Sequence, residues 1–577
     1  MTPFANPFAE EIWSARYRLR AADGTVEPDI DATWARVASA LAAAEPQDRV
    51  AWQQKFAATL ADFRFLPGGR ILAGAGTGRR VTLFNCFVMG TLDDSLDGIF
   101  AALRESALTM QQGGGIGVDF SPLRPEGAPA DATGGHSSGP VSFMDLWDQM
   151  CATVTDVGPR RGAMMGTLSC EHPDIESFVT AKRTSRRLTH FNLSVLATNA
   201  FMEAALAGRP FALEFPGSGM ARRIEARALW QTITRCAYES AEPGVLFIDR
   251  IRAEDNLAYA ETISATNPCG EIPLPPYGAC DLGSLNLTRF VRDPFGPHAN
   301  LDHDALAGAA AVATRMLDNV YSVAAFPLPQ QAAAAAASRR LGLGLTGLGD
   351  ALVMLNLRYD SDAGREAAAG AMRTIVEAAY AASIELARER GSFPLFDRDR
   401  FLAAPFVARL PGRLRDGIAR DGLRNSHLTA IAPAGTISLI AGNVASGVEP
   451  IFAAEYSRNV RQQGGAILNV NVESHALAAW RAGGRRGRPR AFVTAESVAA
   501  TDQIAMLAAL QPHVDNAISK TTNVREDIDF AEFAAIYRHA WERGLKGCTV
   551  FRPNRVTGSV LTGPEPRCER CETAGAA

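Results

Sequence analysis

The stretch Thr266–Leu287, TNPCGEIPLPPYGACDLGSLNL, constrains this chain more than any other. Pro273, Pro275 and Pro276 follow Cys269 closely, so no helix can run through the segment. Cys269 therefore sits on a loop, with Asn267 two residues before it and Glu271 two residues after. In an extended segment, residues two apart project to the same side. The spacing predicts that an amide, a thiol and a carboxylate converge on one small hydroxylated ligand. The carboxylate takes a proton, the amide orients and the sulfur reacts. A tight proline-rich turn with an incidental buried cysteine explains the spacing about as well.

Around this loop the chain alternates short apolar runs with longer helical ones, which predicts α/β architecture. Residues 1–65 read as a helical region. Asp31 is the N-cap candidate of a helix to Ala44, and Trp52–Phe65 continues helically. Pro67-Gly68-Gly69 breaks the pattern, and Gly74–Gly78 breaks it again. Phe211–Phe215 and Val245–Ile248 read as strands, the tract 330–337 as an alanine-rich helix, and the basic stretch 477–490 as a solvated loop. Past Arg552 the composition turns to Pro, Gly and Thr. The expected division is 1–65, helical; 66–552, α/β; 553–577, a flexible tail ending in a CxxC.

Of the 577 residues 47% are hydrophobic, enough for a sizeable core, and the net charge of −4 argues against a general nucleic-acid binder. The first residues carry no basic region before a long apolar run, and no stretch approaches about 18 uninterrupted apolar residues. The expected location is the cytoplasm. There, nine unevenly spaced cysteines do not form a disulfide framework.

The other motifs are weaker alone. Cys86, in the apolar run LFNCFV, reads as a strand residue, and nothing in the spacing pairs it with Cys280. Cys568 and Cys571 form a CxxC beside Arg567 and Arg570. No second pair completes a zinc site, so no metal is expected, and thiol–disulfide exchange suits the motif better. A tail with two idle thiols is the alternative. In APAGTISLIAGN, from Ala432, a turn leads into a helix start bearing Thr436 and Ser438, where backbone N–H groups favour phosphate. An ordinary N-cap explains it almost as well. QQGGGIGVDFSPLRP, from Gln111, fails the dinucleotide fingerprint but implies close backbone approach. Asp93–Asp97 reads as the acidic first turn of a helix.

Taken together and in this order, FNCFV, GGGIGVDFSPLRP, NPCGE, CDLGSLNL, PAGTIS and the terminal CxxC resemble the ribonucleotide reductases, over residues 4 to 571. The closest likeness is to the adenosylcobalamin-dependent class II enzymes. The resemblance implies a ten-stranded α/β barrel with the Cys269 loop as a central finger, preceded by a small helical region. It implies that Cys269 becomes a thiyl radical and takes the 3′-hydrogen of a ribonucleotide. Glu271 would accept the 3′-hydroxyl proton, and Asn267 would bond the ribose hydroxyls. Cys86 and Cys280 would supply two electrons and close to a disulfide. Cys568 and Cys571 would then reduce it, reset by thioredoxin or glutaredoxin. Cys151, Cys170, Cys236 and Cys548 would be core.

By the same likeness, Pro433, Ala434, Gly435, Thr436, Ile437 and Ser438 hold the substrate diphosphate. Gly69, Asn85, Gly114 and Gly115 approach the substrate through backbone, with Pro268 and Gly270 flanking the radical cysteine. Asp94 matches a contact to an allosteric deoxynucleotide or ATP at a homodimer interface. The segment 181–192, with Lys182 and Arg183, carries that signal to the substrate.

The class follows by resemblance and elimination. Class I catalytic subunits receive their radical through two adjacent tyrosines, but the corresponding segment here is GLKGCTVFRPN, from Gly544. No glycyl-radical context of the class III kind and no DxHxxG cobalamin motif is present. The chain is short for the family and shows no segment like the ATP-binding activity domain, so on/off control by ATP and dATP is not expected. The expected activity is vitamin B12-dependent reduction of ribonucleoside diphosphates to deoxyribonucleotides for DNA synthesis. The alternatives are a subunit fed by a separate radical generator, and a non-catalytic nucleotide-binding regulator.

Overall fold

The computed structural model describes residues 4–21, 23–130, 134–154, 163–183, 187–217, 219–461, 467–554 and 561–562. Three helices open the chain: α1 (Pro7–Arg16), α2 (Ile30–Ala42) and α3 (Arg49–Leu60). The N-cap of α2 is Asp29, which accepts from the Ala32 N–H at 2.9 Å; Asp31 is the second helical residue, in the first turn. Asp29 satisfies a first-turn donor that Asp31, already helical, cannot reach.

Ten strands form the main sheet: β1 (Phe65–Pro67), β2 (Cys86–Val88), β3 (Gly115–Asp119), β4 (Met164–Ser169), β5 (Phe191–Ala197), β6 (Gly244–Phe247), β7 (Ala279–Asn286), β8 (Leu341–Thr346), β9 (Thr521–Asn523) and β10 (Gly547–Phe551). β2 to β6 are parallel neighbours in chain order. β7 and β8 are parallel, as are β9 and β10. The two halves meet antiparallel, at β2 with β7 and at β6 with β10. The remaining gap is bridged by Leu343 to Thr429 and Ile431 to Ile518, both parallel. The sheet thus closes on itself as an α/β barrel, and closure removes the exposed edges.

Helices cover the outside, among them α4 (Leu96–Gln111), α5 (His303–Val323) and α6 (Asp362–Arg390). α4 is capped by Ser95, which accepts from Gly98, so Asp93–Asp97 is an ordinary helix start. The expected strand at 211–215 is Pro210–Glu214, and the alanine-rich tract is the helix Pro329–Ser338. The stretch 477–490 is only partly loop, because its first residues belong to the helix His475–Ala482, which buries Ala476 and Leu477.

Inside the barrel, the two-residue strands Ala265–Thr266 and Pro273–Leu274 pair antiparallel as the stem of a finger. The finger packs with Cys86, Val88, Cys280, Leu282, Ala430 and Ala432 in a buried cluster of its own. Gly117 on β3 makes room for it: a Cβ there would lie 1.9 Å from the Thr266 carbonyl oxygen. Elsewhere in the barrel, Gly344 of β8 lets the neighbouring segment at 429–431 approach: a Cβ there would lie 2.2 Å from the Ala430 oxygen. Among the described residues, no helix is long and apolar enough to cross a membrane.

Candidate active site

The fingertip is a turn, which corrects the extended geometry expected from the sequence. Gly270 N–H bonds the Asn267 carbonyl at 3.0 Å, Asn267 N–H bonds Ile272 at 3.2 Å, and Gly270 has φ +82°. Asn267 and Glu271 come together because the chain reverses between them, not because a strand alternates. The tip is clamped from outside. Asn192 Nδ2 donates to the Pro268 carbonyl at 2.8 Å, and Ala517 N–H donates to the Glu271 carbonyl at 3.0 Å. Asn192 was visible in sequence only as the end of the 181–192 segment; no local pattern marks a partner 76 residues away.

Cys269 is exposed, whereas Asn267 and Glu271 are each 2% accessible. A cavity of about 270 Å³ opens on one side of Cys269, lined by Asn267, Pro268, Glu271, Cys86, Asn85, Gly69, Gly114, Gly115, Pro433, Ala434 and Ile437. Widely separated sequence motifs thus share one chamber, a little under the ~300–1,000 Å³ usual for a small-molecule site.

Cys86 and Cys280 are direct partners across the antiparallel β2–β7 ladder. Such residues face the same side at a Cα separation of about 4.5–5.5 Å, which a disulfide can span. Asn267 Nδ2 donates to Cys86 Sγ at 3.2 Å, tying the pair to the finger. Burial pushes the Cys86 thiol well up, reinforced by charge at Glu271, Cys280 and Cys269 and opposed by the Asn267 hydrogen bond. Burial does the same to Cys280, with Asp281 next. Both sulfurs hold their protons at neutral pH. Cys86 lines the cavity; Cys280, with no accessible surface, lies behind it.

Several expected residues play other parts. The Asn85 carbonyl is taken by Gly115 N–H at 2.9 Å, and Gly114 N–H by Thr109 at 3.1 Å, so these backbone groups serve the fold. Asn85 instead presents a buried side-chain Oδ1 with no hydrogen-bond partner among the described residues. Gly435, Thr436 and Ser438 start the helix Gly435–Ile440 just beyond the cavity lining. Ser438 donates to the Gly435 carbonyl at 2.8 Å, and Thr436 shares a hydrogen bond with the Tyr17 hydroxyl. Arg70, which follows the Pro-Gly-Gly break, lines the cavity beside Gly113 and was missed for want of any motif.

Gly270 faces a second, smaller cleft of about 50 Å³ on the other side of Cys269, with Leu246, Ser519, Lys546, Cys548 and Thr549. Asp94 pairs with Arg124 at 2.7 Å, Lys182 with Glu242 at 2.8 Å and Arg183 with Glu239 at 2.6 Å. Cys151, Cys170, Cys236 and Cys548 are buried. Cys568 and Cys571 lie outside the described residues.

The family description "Ribonucleotide reductase, barrel domain" matches residues 84–551, and "Ribonucleotide reductase, all-alpha domain" matches 4–80. The chain belongs to the ribonucleotide reductase family. A Mycobacterium tuberculosis (strain CDC 1551 / Oshkosh) protein named vitamin B12-dependent ribonucleoside-diphosphate reductase is 39% identical, over 97% of this chain and 81% of that one. A Thermoplasma acidophilum protein of the same name is 35% identical over 88% of this chain and 66% of its own. A Chlamydia pneumoniae ribonucleoside-diphosphate reductase subunit alpha is 28% identical over 73% of this chain and 45% of its own. The reductase family's two described parts divide this chain near residue 80, whereas β1, from Phe65, already belongs to the barrel sheet.

Proposed function

We propose that this chain is an adenosylcobalamin-dependent ribonucleoside-diphosphate reductase. The observation that carries the reading is the position of Cys269 between two openings: a chamber lined by Asn267, Glu271 and Cys86, and a separate cleft behind it. The B12-dependent relatives support the choice of cofactor. The fingertip is open toward this cleft, because a Cβ at Gly270 would meet nothing within 4 Å, so a cofactor can approach Cys269 from that side. Gly270, Ser519 and Thr549 would border it there. Among the described residues, no cluster of three His, Cys, Asp or Glu could hold a bare metal ion. When bound, adenosylcobalamin supplies one-electron chemistry by homolysis of its cobalt–carbon bond.

The chain's own residues do the rest. Cys269 Sγ takes the hydrogen from the ribose 3′-carbon and returns it. A Glu271 carboxylate oxygen accepts the 3′-hydroxyl proton, and Asn267 orients the ribose while fixing Cys86. The protonated Cys86 Sγ gives its proton to the departing 2′-hydroxyl. Cys86 and Cys280 close to a disulfide and deliver two electrons. The Pro433–Ser438 segment receives the diphosphate, and Asn85 Oδ1 accepts from the substrate. Cys568 and Cys571 reduce the pair and are reset by thioredoxin or a similar dithiol protein. Leu96, 64% exposed, and Phe100, 53% exposed, lie one turn apart on α4 and support a homodimer through that face. A deoxynucleotide or ATP effector at Asp94, Lys182 and Arg183 must first displace their carboxylate and arginine partners.

The test is anaerobic turnover of pre-reduced chain bearing Cys568→Ser and Cys571→Ser, with cofactor and CDP but no reductant. It should make about one deoxynucleotide per active site while two thiols, mapped to Cys86 and Cys280, become resistant to alkylation. Product without loss of those thiols would contradict the assigned electron source.

A further inference from the structure

Cys280 is flanked on two sides. On one ladder it faces Cys86. On the other, Asp281 is the partner of Leu341, the first residue of β8, which sets Arg340 alongside Cys280. The Arg340 side chain is only 2% exposed. Its Nη1 donates to the Pro273 carbonyl of the finger stem at 2.6 Å, and its Nη2 meets Glu261 and, at 3.7 Å, Asp255. Asp255 in turn contacts His427 Nε2 at 3.1 Å. A buried cation thus stands on the side of the pair away from the cavity. Nothing in the proposed hydrogen and proton transfers uses it.

We infer that Arg340 is a positioning residue for re-reduction of the pair: the incoming thiolate attacks Cys86 Sγ from the cavity, and Cys280 leaves as the thiolate facing the Arg340 guanidinium. The inference rests on the proposed Cys86–Cys280 disulfide. A bond forms between the incoming sulfur and Cys86 Sγ. The Cys86–Cys280 bond breaks, and its electron pair goes to Cys280. The second thiolate of the same dithiol then attacks the incoming sulfur, releasing Cys86. Both released thiolates are protonated, and the dithiol, oxidised to a disulfide, is the two-electron donor. Attack at Cys86 follows from access, since Cys280 has no exposed surface. Departure from Cys280 follows from attack at Cys86, and Arg340 is the cation that eases it, because lowering the leaving thiol's pKa speeds its departure.

The charges acting on Cys280 are those of Asp281, Glu271 and Asp515, which oppose its thiolate, and of Arg340, the cation favouring it. Around Arg340 stand Glu261, Asp255, Cys280 and Tyr321. Burial lifts Glu261 to about 7, opposed by Arg340 and reinforced by Asp255.

The experiment uses full-length chain with Cys568→Ser and Cys571→Ser, oxidised by diamide. 2-Mercaptoethanol is added, the reaction is quenched with an alkylating agent, and the adducts are mapped by mass spectrometry. The expected product carries mercaptoethanol on Cys86 and the alkyl group on Cys280; the reverse pattern overturns the inference. In the same background, Arg340→Gln should slow reduction of the pair by dithiothreitol about tenfold across the pH profile, because the leaving thiol loses its cation. Arg340→Lys should recover the rate to within about threefold, since the charge is kept. A rate equal to that of the parent chain in Arg340→Gln overturns the role of Arg340. If that variant does not fold, Arg340→Gln with Glu261→Gln removes both charges together, and the adduct map needs neither. Failure of diamide to join Cys86 to Cys280 would instead bring down the underlying disulfide.

Discussion

Cys269 stands at the apex of a turn whose flanks, Asn267 and Glu271, are buried, the first bonded to Cys86 and the second held by Ala517. Its neighbours therefore fix its place while its sulfur stays open to both sides. Cys269→Ser should abolish deoxynucleotide formation while leaving nucleotide affinity, read by equilibrium dialysis, within about threefold, because a hydroxyl keeps the shape and loses the radical chemistry. Glu271→Gln should lower kcat by about 10²–10⁴, the usual worth of a positioned base, with a smaller change in KM. The NPCGE segment made these residues legible, since prolines and a central cysteine restrict the local chain strongly. Two things were not legible. The turn geometry depends on hydrogen bonds to Ile272 and Ala517. The pairing of Cys86 with Cys280 depends on a ladder between strands some 190 residues apart in sequence. Long-range register leaves no mark in spacing.

At the scale of elements, the finger reaches the barrel centre because one wall, strand β3, lacks side chains where its backbone passes. Gly117 admits Thr266, and Gly115 admits Pro268. The sequence run GGGIGVD signalled close approach but could not say what approaches. Gly117→Ala places a methyl group inside the Thr266 carbonyl, so the finger or β3 must shift. The expected cost is about 1–3 kcal/mol of stability by denaturant titration, with turnover lost more severely than stability. Unchanged kcat in this variant would show that the finger does not need that seat. Helix boundaries were the weaker part of the sequence reading: Asp29 rather than Asp31 caps α2, and the helix Gly435–Ile440 turns the Ser438 hydroxyl inward to Gly435.

Across the whole molecule, the opening helices are bound to the barrel's outer layer by one charged cluster. Arg315 of α5 reaches both Glu45 and Glu389, Arg390 reaches Glu45, and Asn319 donates to Glu45 at 2.7 Å. Burial alone would raise the Glu45 carboxyl. Hydrogen bonds from Arg315 and Asn319 and the charges of Arg390 and Arg315 outweigh it and hold the group below its ordinary 4.5. A depressed folded value means that its stabilisation is full above that range and is lost as pH falls through the lower, folded value. Glu45→Ala should cost about 3–5 kcal/mol at pH 7 by leaving two guanidiniums short of a partner. The difference from the parent chain should shrink below about pH 4, which thermal unfolding across pH would measure. None of this cluster was legible, because its members come from three distant segments. The α/β class was legible, because alternating apolar and helical runs leave few other architectures.

In the proposed reductase, Cys269 divides a cofactor cleft from a ribonucleotide chamber. The most direct test is anaerobic reduction of CDP and ADP by a small dithiol, with and without adenosylcobalamin, scored as deoxynucleotide formed. Product only with the cofactor is the predicted result; no product under either condition, from chain that measurably binds the nucleotide, would contradict it.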